Sequence, residues 1–314
     1  MMRYLLLIGC LALPIFGFGQ YKDRQQKRER LSAPVILSTQ PYQLYFQEEF
    51  DGNQLDTSIW RTSYGNPKPW DCTLPRKNCS TELQFYHPNN VVVSDGTLKL
   101  ITKKESYQYK GIYEEARACA NKKIGDPFQL PFNYTSGALE TRADTIAFQY
   151  GRFEIRCKLP KGSGFWPAFW LWGGGGPTGR AGEIDILEIF DTSQPIFTTS
   201  VHNGSKKARM DFPINWNIEE WHIYEVEWDA LSLRYYVDDH LIRTVPRFKD
   251  KSNLRQYSVK KGRHKRNPAF PWEQWMVLRI NLALNSEPGQ QVEDTTPFPA
   301  VMEVDYIRVY KKGD

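Results

Sequence analysis

Cysteine is scarce in this chain, five in 314 residues, and no two stand as Cys-x-x-Cys or beside a histidine. That excludes the common zinc-binding spacings. Long apolar runs are missing as well. The one candidate, Leu5 to Phe18, falls short of the about 20 residues that a membrane-spanning helix needs. No long segment keeps a helical hydrophobic period, which argues against bundles and coiled coils. No internal repeat is present. The glycine run Gly173-Gly174-Gly175-Gly176 is followed by neither Lys-Ser/Thr nor a helical pattern, so it is not a phosphate-binding loop. No serine-triad, cysteine-nucleophile or nucleic-acid-binding motif stands out.

Aromatic side chains are abundant: 10 Trp, 17 Tyr and 17 Phe. They supply core volume and flat faces, and carbohydrate sites use such faces under the apolar side of a sugar ring. Short β-prone runs (Val91-Val92-Val93, Leu98-Lys99-Leu100-Ile101, Leu233 to Val237) alternate with turn clusters at Ser94-Asp95-Gly96 and Asp238-Asp239. The pattern predicts an all-β sandwich, one large domain over residues 43–314. Ahead of it, Arg3, the apolar run and small residues at Gly17 and Gly19 read as an export signal over residues 1–19. Residues 20–42 contain Tyr21 to Arg30, charged and without apolar period, and read as a flexible basic linker. Leu7-Ile8-Gly9-Cys10 resembles a bacterial lipoprotein box. The apolar run before Cys10 is very short for that role, so a secreted, periplasmic or cell-surface protein without a lipid anchor is expected. Cys72, Cys79, Cys119 and Cys157 then form an even set suited to an oxidising compartment. Their pairing stays open. Cys72 with Cys79, inside a turn-rich loop, is one solution; a clamp by Cys119 that leaves Cys157 as a buried small hydrophobe is another.

One stretch is hard to explain by folding alone. Glu183-Ile184-Asp185-Ile186-Leu187-Glu188 sets three carboxylates in what otherwise looks like a buried strand, where unpaired charge is costly. Alternate strand residues share a face, so Glu183 and Asp185 agree and Glu188 does not. A β-bulge near Ile186-Leu187 absorbs one residue and re-aims the last acid, and all three then face one cleft. Two glutamates over one cleft suit glycoside hydrolysis with retention, where a nucleophile and an acid/base stand about 5–5.5 Å apart. An extended strand rises about 3.3 Å per residue, so the strand must be concave for the pair to close on a sugar.

The surrounding segments strengthen this reading. They include Phe46 to Gly52, Tyr150 to Arg156, Leu159-Pro160-Lys161-Gly162, Phe165-Trp166-Pro167-Ala168-Phe169-Trp170, Ser200-Val201-His202, Trp221 to Trp228 and Met302 to Tyr310. In this order, from about residue 45 to 312, the chain resembles family 16 of the glycoside hydrolases in its bulged E-x-D-x-x-E form. The resemblance implies a jelly-roll β-sandwich of two antiparallel sheets (concanavalin A-like) with a substrate cleft on the concave sheet. It implies Glu183 as nucleophile, Asp185 as its assistant and Glu188 as acid/base. It also implies substrate contacts by Trp166, Trp170, Asn90 and Arg152, and by His202, placed near the acid/base where it would bond Glu188 or a sugar hydroxyl. Trp172 is divided between cleft contact and packing under the glycine-rich loop. Many members bind one structural calcium, for which Asp305 and Gly96 match. No cofactor is required.

The polysaccharide expected is a β-1,3-glucan of laminarin type, from the Trp166 to Trp170 segment and the Thr296-Pro297-Phe298-Pro299 approach to the last strand. A net charge of +5 and the basic cluster Lys260 to Arg266 admit a marine galactan such as agar, porphyran or carrageenan. A non-catalytic carbohydrate-binding sandwich is the further alternative. A monomer with no nucleic-acid partner is expected.

Overall fold

The computed structural model describes residues 40–62, 81–112, 127–174, 182–248, 267–271 and 274–313. The expected export signal and all but the end of the linker lie outside them, as do Cys72, Cys79, Cys119 and the Lys260 to Arg266 cluster. Seventeen strands follow in order among the described residues: β1 Tyr42–Glu48, β2 Trp60–Arg61, β3 Phe85–Tyr86, β4 Val91–Ser94, β5 Thr97–Ile112 and β6 Pro127–Ser136. Then come β7 Ala138–Thr141, β8 Gly151–Lys158, β9 Phe165–Trp172, β10 Gly182–Glu188, β11 Ile196–Asn203 and β12 Lys206–Pro213. The series ends with β13 His222–Trp228, β14 Ser232–Val237, β15 His240–Pro246, β16 Val277–Leu284 and β17 Ala300–Lys312. One 3-10 turn at Pro88–Asn90 is the only helical element among them.

Two sheets form. The back sheet has ten strands, ordered β15-β14-β13-β8-β17-β5-β6-β3 with β1 on β17 and β4 on β5. The cleft sheet has seven, ordered β12-β11-β10-β9-β16-β7-β2. Pairing is antiparallel except between β3 and β6, which run parallel. The all-β jelly-roll sandwich predicted from the sequence is the fold observed.

Strand alternation builds the core. In β8, Phe153, Ile155 and Cys157 are fully buried, while Arg152, Glu154 and Arg156 point to the other face. From the cleft sheet Phe169, Leu171, Ile184, Ile280 and Leu282 meet them in one continuous cluster. Each such side chain contributes about 1.5–3 kcal/mol by leaving water. The Asp95-Gly96 hairpin joins β4 to β5 with φ of 55° and 72°. Two positive φ values are what a two-residue type I′ turn requires, and Asp-Gly supplies them at least strain.

Candidate active site

β10 lies between β9 and β11 in the cleft sheet. Glu183 pairs with His202 and Glu188 with Thr198 on β11. On β9 the same glutamates pair with Trp172 and Ala168. Five steps along β10 therefore match four on each neighbour, and the surplus residue is a bulge. Four is even, so both glutamates face the same side. Asp185 pairs with Trp170 and Leu187 with Phe169, which identifies Ile186 as the surplus residue. Ile184, Ile186 and Leu187 turn into the core at 0–1% exposure. The bulge thus lets a core strand present three acids on its other face.

The acids differ in surroundings. Asp185 is buried, and burial first and the Glu183 charge second hold its carboxyl well above the usual range. Burial also lifts Glu188 well above that range, helped by Asp185, while a hydrogen bond from Trp166 and the charge of Arg209 oppose it. Trp166 Nε1 donates to Glu188 Oε1 at 3.2 Å. Glu183 is raised by burial and pulled back by His202 and Arg279. Its side chain is 24% exposed against 8% for Asp185, and it is the one that His202 and Arg279 both counter. Burial therefore raises Asp185 further than Glu183. Two glutamates whose surroundings push their pKa values apart, Glu188 further up than Glu183, make the kind of division that acid-assisted displacement needs.

Tryptophans line the cleft. Trp166 and Trp170 both face the pocket that contains the three acids, with Ala168 between them. Trp170 Nε1 donates to Asn281 Oδ1 at 2.9 Å, and Trp166 lies 4.7 Å from the Phe190 ring. Trp172 packs against the loop that follows: a Cβ added at Gly174 would meet its indole at 2.5 Å. Glu82, Asn281 and Ala283 complete the pocket, and sequence reasoning missed all three. The polar alternation of Arg279 and Asn281 within an apolar run was a usable signal. Glu82 gave none, because an isolated bridge to Asn285 brings it in from a distant segment.

Further out on the same face, Glu140 is fully buried and accepts hydrogen bonds from both Arg61 and Arg279. The Arg279 guanidinium lies over Trp170 at 4.8 Å and Trp172 at 5.3 Å.

Other expected contacts fall elsewhere. His202 stands beside Glu183 and Asp185, at 3.5 and 3.4 Å, because the β10–β11 register pairs it with Glu183 and gives Glu188 a threonine. Arg152 is not brought to the cleft. It lies on the outer face of the back sheet, in an ion pair with Glu225 at 2.6 Å, since its neighbour Phe153 takes the core side. Asn90 is buried, with its Nδ2 donating to Thr135 Oγ1 at 2.8 Å, outside the residues that line the pocket. Asp305 is paired with Arg156, and Gly96 serves the β4–β5 turn. A carboxylate already held by a guanidinium does not fit a calcium ion unless that pair is given up. Cys157 is a free, fully buried thiol, and burial pushes its pKa up.

The sequence matches the family Glycosyl hydrolases family 16 over residues 81–271. It is 29% identical over 301 residues to glucan endo-1,3-beta-glucosidase A1 of Niallia circulans, covering 90% of this chain and 40% of that protein. It is also 29% identical to the beta-glucanase of Rhodothermus marinus, covering 86% of this chain and 85% of that one. The catalytic domain of an endo-1,3-beta-glucanase (laminarinase) from Thermotoga petrophila has a similar structure. The TM-score is 0.64 at 26% identity, over 88% of this chain and all of that one. The family match spans more than half of the chain and contains the paired glutamates, and it places this protein in family 16 of the glycosyl hydrolases.

Proposed function

We propose that this protein is an exported, endo-acting, retaining glycosidase that cuts β-1,3-linked glucan of the laminarin type. The single observation behind the reading is the bulge in β10, which turns Glu183 and Glu188 to one side of a tryptophan-lined cleft. Glu183 attacks the anomeric carbon while Glu188 gives its proton to the departing glycosidic oxygen. A glycosyl–Glu183 ester results, and the leaving sugar departs with a new hydroxyl. Glu188, now ionised, takes a proton from water as that water displaces Glu183, and both carboxyls return to their starting states. Two displacements restore the original configuration. Burial keeps Glu188 protonated long enough to act as the acid. His202 stands within 3.5 Å of Glu183 and 3.4 Å of Asp185, and so orients the attacking carboxylate.

The glucan preference is supported by the three relatives named above, whose names are those of glucanases. A galactan substrate and a binding-only sandwich are not favoured. Export rests on the N-terminal pattern. The test is a panel of laminarin, lichenan, agarose, porphyran and carrageenan, with released reducing ends measured and the first anomer followed by NMR. Laminarin should be cut to a ladder of oligosaccharides with retention. Glu183→Gln should bind the oligosaccharides and cut none. Activity confined to sulfated galactans, or none at all, would refute the proposal.

A further inference from the structure

Glu183, Asp185 and His202 each offer one ligand atom, and the three atoms lie within 4.8 Å of one another. They come from two adjacent strands. His202 is the direct cross-strand partner of Glu183, and Asp185 sits two residues along on the same face. His202 Nε2 stands 3.5 Å from Glu183 Oε1 and 3.4 Å from Asp185 Oδ2. A tetrahedral zinc ion bound at about 2.0–2.1 Å has ligand–ligand edges of about 3.3–3.4 Å. The imidazole nitrogen is therefore already one tetrahedral edge from both carboxylates, without movement of either strand.

The donor set is one nitrogen and two oxygens. That suits zinc, whereas calcium takes six to eight oxygens. Three protein ligands with a fourth direction open to the cleft is the arrangement of an accessible zinc site, where water or a sugar hydroxyl completes the shell. Arg279 is the cation opposing such an ion, and Glu140 already pairs with it.

We propose that Glu183, Asp185 and His202 form a zinc site that shuts the cleft. Zinc there coordinates the Glu183 carboxylate that would attack, so zinc and polysaccharide exclude each other. No atom of substrate is transformed. Metal binding depends on the cluster alone, while inhibition of turnover rests on the hydrolase reading.

The experiment uses zinc chloride and the full chain. Calorimetric titration of the wild type should find one site that is weakened by at least about tenfold in both His202→Asn and Glu183→Gln, because loss of even an outer-shell partner costs about 10–100-fold. Thermal melts confirm that both variants are folded. Glu188→Gln, which removes no zinc ligand, provides a protein that does not cut its substrate. Saturating it with a laminari-oligosaccharide should lower its apparent zinc affinity, and raising the zinc should displace the sugar. In the wild type, zinc should slow laminarin hydrolysis competitively, and EDTA should restore it. Zinc binding that is unchanged in both ligand variants would overturn the site. Zinc and sugar bound together would overturn the exclusion. Zinc binding that is lost in the variants, in a wild type that cuts no polysaccharide, would uphold the site while refuting the hydrolase reading.

Discussion

Deleting Ile186 tests the counting argument directly. Between the two glutamates, Ile186 is the one residue of β10 with no opposite number on β9. Removing it leaves four steps between the glutamates, equal to the four on each neighbour. Leu187 keeps its register with Phe169, and Glu188 stays on the cleft face. The loss is a side chain 1% exposed in the core. Large-to-small changes at such sites cost about 2–5 kcal/mol. For a domain of this size each kcal/mol lowers Tm by about 2–4 °C, so the melt should fall by between about 4 and 20 °C. Turnover should stay within about tenfold of wild type, because a misplacement of 1 Å would already cost about a hundredfold. Laminarin hydrolysis well below the melting temperature, with Glu188→Gln as the reference for a lost acid, reads the result. A folded deletion protein no better than Glu188→Gln would show that the bulge does more than count residues.

Three other substitutions probe the surroundings. Asp185→Asn should stabilise the protein progressively as pH rises. A carboxyl whose folded pKa is raised stabilises fully only below its unfolded pKa and loses that contribution as pH climbs through the folded one. The variant's Tm advantage should therefore grow from acid to neutral pH, and a constant difference would refute the assignment. Trp166→Phe removes the donor that lowers the Glu188 pKa, so the alkaline limb of the kcat/KM profile should move to higher pH. Glu140→Gln leaves Arg61 and Arg279 facing each other without their shared anion. Arg61 is half-exposed, but the Glu140–Arg279 pair is largely buried, and breaking a buried pair costs about 3–5 kcal/mol, which denaturant unfolding would measure.

Much of this was legible because it is local. Three acids at the wrong parity announce a bulge from spacing alone, and Asp95-Gly96 announces its hairpin from backbone preference. Partners across strands were not legible. His202 was expected near Glu188 and lies by Glu183, because register is set by how β11 pairs along its whole length. Arg152 was expected at the cleft and lies on the opposite sheet. Its strand alternates cleanly, yet alternation does not say which sheet a strand joins. Glu82 and Asn281 enter the pocket from segments remote in sequence, the first with no local mark and the second with only its polar alternation on β16.

Glu183, Asp185 and Glu188 all ride on β10, clamped on both sides by hydrogen-bonded neighbours. The strand works as a ruler whose graduations are backbone register. Loops at the ends of the sandwich can change length or chemistry without altering the distances between these three acids. Selection on such a scaffold can revise what the cleft admits while the spacing of the acids is inherited unchanged.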